Sequence, residues 1–190
     1  MLGKDMLEKL YDYNVTANTR ILDCAARVSQ AQFVAATDIG HGSLQGLLFH
    51  MLHTEWVWRI LCQDHQIQAS SAPRKEDFST LDEIRERWQA EEQLMRAFLT
   101  SVSDDELARI VQVKRRDGTE TPMVLWHMLM HCMLHSMQHR SEAAVLLTGY
   151  GQSPGDLDFI FLVNLMTQGD RIELNIQVGK PGFDLQTDLV

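Results

Sequence analysis

Apolar residues recur at spacings of three and four along four long segments of the chain, and this spacing places them on one face of an α-helix. Ser43 is a suitable N-cap for the second segment, and Pro122 stands at the start of the fourth, where its missing N–H costs nothing. We therefore predict four long helices, from about Met6 to Val28, Ser43 to Cys62, Leu81 to Val102 and Pro122 to Leu147, the last closing at Gly149 or Gly151.

The connections between these helices differ in length and pattern. Ser29 to Ser43 has no sustained period and is predicted to be a loop. The polar segment from Gln66 to Ser79 is long for a connection in a helical bundle, and could act as a crossover or a lid. Arg116-Asp117-Gly118 lies between two short extended runs, Ile110 to Val113 and Thr119 to Thr121, and this arrangement predicts a β-hairpin.

The C-terminal part predicts a shorter helix from Gly155 to Met166, followed by a tail with alternating apolar residues from Ile172 to Val178. The predicted fold class is all-α: a four-helix bundle with a small β-hairpin before the fourth long helix and a short C-terminal helix. The predicted domain covers residues 1–168. Residues 169–190 form a tail that we expect to be extended or to contact a partner.

Composition supports one globular domain and excludes several functional classes. The 190 residues are 45% apolar, which is too many for a disordered chain. Seventeen basic against 26 acidic side chains give a net charge of -9, which argues against binding to nucleic acid or an anionic membrane. We find no apolar core of a signal peptide and no apolar run long enough to span a membrane. The three cysteines cannot all be paired and are expected to be reduced thiols. We expect a cytoplasmic location.

Four of the eight histidines lie four residues apart in the fourth predicted helix, at His127, His131, His135 and His139. Residues at i and i+4 lie one turn apart on the same face, with a rise of about 6 Å, so two imidazoles can reach one metal ion. Each step also rotates by about 40°, so all four cannot share one ion. The expected ligand set is two of them plus one residue from another helix.

The second predicted helix offers that further ligand. His50 lies there in an apolar context like that of the fourth helix. Buried imidazoles need polar partners, and neutral imidazole is a common ligand for zinc, nickel and iron. Three protein ligands with one open position are typical of catalytic zinc sites. No His-Glu-x-x-His motif is present, so a thermolysin-type protease is not indicated.

Other side chains near this pattern have competing interpretations. Cys132 could be a fourth ligand beside His135, although a buried structural thiol is the favoured interpretation. His53 could face the site instead of His50. Glu55 could orient an imidazole, as carboxylates beside metal-binding histidines commonly do.

The remaining candidates are interpreted more simply. His127 is expected outside the metal-binding set, near the helix start, and His41 and His65 are interpreted as loop or helix-end residues. Arg140 could hold an anionic group of a substrate, but a salt bridge within the bundle is favoured. The four regularly spaced histidines from His127 to His139, called here the histidine ladder, could also form a buried polar network without metal.

Four groups of residues resemble the DinB-like (DinB/YfiT) family of metal-dependent enzymes. They are Tyr13-Asn14 with Ala17-Asn18, Gly42-Ser43 leading to His50 and Glu55-x-x-Trp58, the run His131-x-x-x-His135-x-x-x-His139-Arg140, and Gly149 with Pro154 and Asp158. They occur in the family's order and cover about residues 6 to 165.

The resemblance implies a four-helix bundle of up-down-down-up order, with the long linker after the second helix as its crossover. It implies a metal site on His50, His135 and His139, with His131 as an auxiliary group, and homodimers are common among relatives. Characterised relatives include thiol-dependent isomerases and S-transferases. This chain has Ser141-Glu142 where many relatives have Gly-Gln.

The leading hypothesis is therefore a metal-dependent enzyme with an open three-histidine site and a small-molecule substrate. Its most concrete form is a thiol-dependent S-transferase or isomerase that uses a low-molecular-weight thiol. The ion is expected to be zinc or nickel, with iron or manganese as alternatives. The alternative functions are a hydrolase that uses metal-bound hydroxide and a non-catalytic metal-binding protein of a stress response. We expect no nucleic-acid or membrane partner.

Overall fold

The computed structural model describes residues 3–64, 66–67, 72–115 and 117–160. These residues are mostly helical, with one small antiparallel hairpin, and so confirm the predicted helical class. In chain order the elements are α1 (Lys4–Ala25), α2 (Gln30–Val34), α3 (Leu44–Asp64), a 3-10 turn (Lys75–Asp77), α4 (Leu81–Ser101), α5 (Asp104–Leu107), β1 (Ile110–Lys114), β2 (Glu120–Val124) and α6 (Leu125–Gly149).

Capping side chains fix where two of the long helices begin. Ser43 Oγ accepts a hydrogen bond from the Gly46 N–H at 3.0 Å, which confirms the predicted N-cap of α3. Thr80 and Glu83 form a reciprocal capping box at the start of α4. Because these bonds satisfy backbone N–H groups that have no partner within the helix, they stabilise both helix starts.

The predicted hairpin is present, but the position of Pro122 differs from the prediction. Pro122 lies in β2 opposite Gln112, and α6 begins three residues later at Leu125. In a two-stranded sheet each strand has a free edge, so a residue without an N–H is tolerated there. The strand therefore continues past the proline, and the helix begins later than predicted.

Two short helices were not predicted. Residues 29–43, expected to be a loop, contain α2, and α5 follows α4 closely. Each begins with a capping box, formed by Ser29 with Gln32 and by Ser103 with Glu106. A single helical turn is too short to show a hydrophobic period, so only the Ser-x-x-Gln and Ser-x-x-Glu spacings could have indicated them.

The four long helices pack side by side: α1 and α3 each contact both α4 and α6. A hydrophobic cluster joins all four to the hairpin and includes Leu7, Cys62, Met95, Val111 and Leu129. A buried ion pair between Arg59 and Glu91 links α3 to α4. This packing fixes α3 beside α6, the two helices that contain His50 and the histidine ladder.

All of these elements lie in the first of two compact units, Met1–Asp156; the second is Leu157–Val190. Residues 155–158 are not helical, and most of the predicted C-terminal helix, the boundary at residue 168 and the tail lie outside the described residues. Among the described helices, none combines the length and apolar character needed to cross a membrane.

Candidate metal centre

Three histidines predicted as metal ligands lie together between α3 and α6. The Nε2 atom of His135 is 3.2 Å from Nε2 of His50 and 3.2 Å from Nε2 of His139. His135 and His139 are one turn apart on α6, and His50 faces them from α3. His50 and His135 are partly exposed, whereas His139 is buried. The cluster is therefore anchored in the protein and partly accessible to solvent.

The spacing of these nitrogens suits a shared metal ion better than hydrogen bonding. An imidazole Nε2 has either one proton or one lone pair, so Nε2 of His135 cannot make a full hydrogen bond to both neighbours. Nitrogens about 2.1 Å from a tetrahedral zinc ion lie about 3.4 Å apart, which is close to the observed 3.2 Å. Three convergent imidazoles are also the donor set of known catalytic zinc sites. The residues fit a divalent ion.

Glu142 holds His139 in the orientation that a metal ligand needs. Its Oε2 lies 2.8 Å from Nδ1 of His139, so Nδ1–H donates to the carboxylate and Nε2 keeps its lone pair. Glu142 is on α6, one turn beyond His139. The carboxylate that contacts an imidazole of the cluster is thus Glu142, which belongs to the Ser141-Glu142 pair.

Both partly exposed histidines are neutral at physiological pH. Burial lowers the pKa of His50 to about 3, and electrostatic repulsion between its protonated ring and the rings of His41 and His139 acts in the same direction. Burial and the neighbouring His139 lower the pKa of His135 to about 4. Since only neutral imidazole offers a lone pair, these surroundings favour metal binding over protonation.

His41 is a fourth member of the cluster that the sequence did not indicate. Its ring stacks on that of His50 with centroids 3.6 Å apart and lies 5.2 Å from that of His139. Ligand nitrogens of His41, His50 and His139 all lie within 4.8 Å of one another. His41 is in a loop, as expected, but its proximity to the ladder arises from tertiary packing. The only local signal is its position between two glycines.

The other histidines lie at greater distances from the centre. The His131 ring is 5.8 Å from that of His135 and packs edge-on against Trp58, which suits an auxiliary position. His53 packs against Phe49 and Trp56. His127 is exposed beside Trp126, and His65 lies outside the described residues.

Glu55 does not orient an imidazole, contrary to one interpretation of the sequence. Its Oε1 accepts a hydrogen bond from Tyr11 Oη at 2.6 Å, and its Oε2 accepts one from Trp88 Nε1 at 2.9 Å. Cys132 packs in the hydrophobic cluster with Cys62, and burial raises its pKa, as expected for a structural thiol. Both groups therefore stabilise the interior.

Arg140 is buried and connects α6 to α1. Its Nη1 lies within hydrogen-bonding distance of the Oδ1 atoms of Asn14 and Asn18, the latter at 3.0 Å, and of Ser136 Oγ at 3.0 Å, so its two N–H groups are shared among three acceptors. Its guanidinium also lies over the Tyr13 ring, 5.2 Å from the centroid. The favoured salt bridge is therefore wrong, because the acceptors of these bonds are amide and hydroxyl oxygens.

Comparison with known proteins places this geometry in a family. No curated protein matches the chain. Residues 1–170 match the model of the DinB family, which is most of the chain and includes every histidine of the cluster. The buried contacts of Asn14 and Asn18 with Arg140, together with the three histidines, are the features that the resemblance had singled out. The chain belongs to the DinB family.

Proposed function

We propose that this protein is a metal-dependent enzyme whose ion is held by His50, His135 and His139. The observation that supports this most strongly is that Nε2 of His135 lies 3.2 Å from Nε2 of His50 and 3.2 Å from Nε2 of His139. Glu142 orients one of the three rings, as carboxylates do in metal sites. The donor set suits zinc or nickel first, and iron or manganese next.

The reaction that we propose is thiol transfer or a thiol-dependent isomerisation. A bound divalent ion lowers the pKa of a thiol and so supplies a thiolate nucleophile near neutral pH. In a transfer the sulfur forms a bond to an electrophilic carbon, the leaving group departs with its electron pair, and the thiol proton passes to solvent. His50, His135 and His139 hold the centre, and Glu142 fixes the tautomer of His139.

The helix contacts support the up-down-down-up order that the family resemblance implies. Leu7 of α1, Cys62 of α3, Met95 of α4 and Leu129 of α6 all join one hydrophobic cluster near the hairpin. These positions are near the starts of α1 and α6 and toward the ends of α3 and α4. In the proposed arrangement the polar segment between α3 and α4 is the crossover.

We also propose a homodimer that acts in the cytoplasm. An exposed apolar stripe on α6 supports the dimer: Leu134, Met137 and Val145 lie on one face and are 51%, 46% and 59% exposed. Apolar stripes of this kind are typical of interaction surfaces.

The reaction is tested with zinc-loaded protein, a panel of low-molecular-weight thiols and a chromogenic aryl halide. Wild type should consume thiol and halide in equal amounts, and His135→Ala and chelated wild type should not. His127→Ala is the matched control and should retain the rate, because its ring packs against Trp126 outside the cluster. Hydrolysis of esters without thiol, or no turnover with any thiol, would contradict thiol transfer.

A further inference from the structure

The loop before α3 lies directly over the histidine cluster. Gly40 and Gly42 flank His41 with φ of +65° and +80°, a backbone region that glycine adopts at little cost. The Thr37 N–H donates to the Gly42 carbonyl at 3.1 Å and closes the loop. His41 is therefore presented at the tip of a tight turn.

Two close approaches hold this loop against the helices. A Cβ on Gly46 would lie 2.3 Å from the His41 carbonyl oxygen, so only glycine lets the first turn of α3 pack this closely. A Cβ on Gly40 would lie 3.0 Å from Glu142 Oε2, the carboxylate oxygen that orients His139. The loop thus contacts the centre through its backbone as well as through the His41 ring.

We propose that His41 is a fourth, displaceable ligand of the metal centre, an inference that rests on the proposed function. His41 is exposed, yet its ligand nitrogen lies within 4.8 Å of those of His50 and His139. That is at most about 1.4 Å longer than an edge of a tetrahedral zinc site. Turning the exposed ring off its stack on His50 brings a fourth lone pair to the centre.

In this arrangement all coordination positions of the ion are filled by protein ligands at rest, and one position becomes free when substrate arrives. Four nitrogen ligands form a complete tetrahedral set, which is the pattern of structural zinc sites. A thiol substrate takes the place of the His41 imidazole; the thiol proton passes to solvent and the neutral ring returns to its stack. His41 differs from the other three because it is exposed and lies on a loop. Moving its side chain away from the ion therefore costs less free energy than moving any of the other three.

The test compares wild type with His41→Ala, His41→Phe and the control His127→Ala. Zinc affinity is measured by competition with a chromogenic chelator, and Co²⁺ is used to record visible absorption, which depends on the number and kind of ligands. We expect both His41 variants to bind zinc at least about tenfold more weakly, and their Co²⁺ spectra to differ from wild type. His127→Ala should match wild type.

His41→Phe separates ligation from ring stacking, because phenylalanine can stack on His50 but cannot bind metal. Wild-type affinity and spectrum in His41→Phe, or in both His41 variants, would overturn the proposal. Absence of zinc binding by wild type itself would instead refute the proposed function, so the two failures are distinguishable. Because His41 is exposed on a loop, we expect its replacement to leave the helix packing intact.

Discussion

Glu142 determines which nitrogen of His139 faces the centre. Its bond to Nδ1 fixes the proton there, which leaves Nε2 free to bind a metal and makes the ring a more basic ligand. Glu55 was one candidate for an orienting carboxylate, but its two oxygens accept hydrogen bonds from Tyr11 and Trp88. Glu142 lies three residues after His139, and this helical spacing better indicates which carboxylate can contact a ring of the cluster.

Replacing Glu142 should therefore weaken metal binding without unfolding the protein. We expect Glu142→Ala to lose about 10- to 100-fold in zinc affinity, the usual cost of removing such an orienting partner. Glu142→Gln retains an acceptor oxygen and should lose less. Chelator competition measures both; equal affinities in wild type and Glu142→Ala would show that the contact does not serve the metal.

Glu55 lies in the interior, where its charge is unfavourable. Burial raises the pKa of its carboxyl above the usual range, although the bonds from Tyr11 and Trp88 oppose this. In the unfolded chain the carboxyl ionises near pH 4.3, so above that pH the unfolded state binds fewer protons than the folded state. Stability therefore falls as pH rises from the unfolded pKa through the folded one.

Glu55→Gln removes this penalty while keeping an oxygen for the Trp88 N–H and offering an N–H to Tyr11. Relative to wild type, the variant should gain stability as pH rises above the unfolded pKa of the carboxyl, as measured by urea unfolding at each pH. A difference in stability that stays constant as pH rises would contradict a raised pKa of this carboxyl in the fold.

At the scale of elements, the sequence predicted each long helix to within a few residues, because a period of three and four over twenty residues is a strong local signal. The prediction of element boundaries was wrong where the local sequence is compatible with two kinds of element. Pro122 suited both a helix start and a sheet edge, and pairing with Gln112 decided for the strand. The position of His41 beside the ladder depends on how the loop folds back on α3, which no periodicity encodes.

Arg140 contributes buried hydrogen bonds to the contact between α1 and α6. Replacing it by methionine fills the volume but leaves the Asn14 oxygen without its buried donor. It also removes one of the two hydrogen bonds that the Asn18 oxygen accepts, the other coming from Ser136 Oγ. Because an unsatisfied buried polar group is costly, Arg140→Met should reduce the free energy of unfolding by about 3 kcal/mol.

Denaturant unfolding measures this loss, and the matched control is Arg20→Met, whose half-buried side chain donates a hydrogen bond to the Asp156 carbonyl. The control should change stability by less than about 0.5 kcal/mol. Equal stability of both variants would show that the Arg140 bonds contribute little to the packing of α1 on α6.

For the molecule as a whole, the exposed stripe on α6 leads to a prediction about assembly. Wild type should be a dimer by light scattering, and Leu134→Glu with Val145→Glu should be a folded monomer, since charges on an apolar interface oppose association. Replacing Met6 by glutamate, a residue 55% exposed on α1, is the control and should leave the dimer unchanged. A monomeric wild type would contradict the proposed interface.

The central claim is that His50, His135 and His139 hold one metal ion between α3 and α6. Plasma mass spectrometry of tag-free protein tests it most directly, with wild type measured beside His50→Ala, His135→Ala and the control His127→Ala. We predict about one ion of zinc, nickel, iron or manganese per chain in wild type and control, and its loss in both site variants. Wild type without stoichiometric metal, even after reconstitution with each ion, would contradict the claim and leave the histidines as a buried polar network.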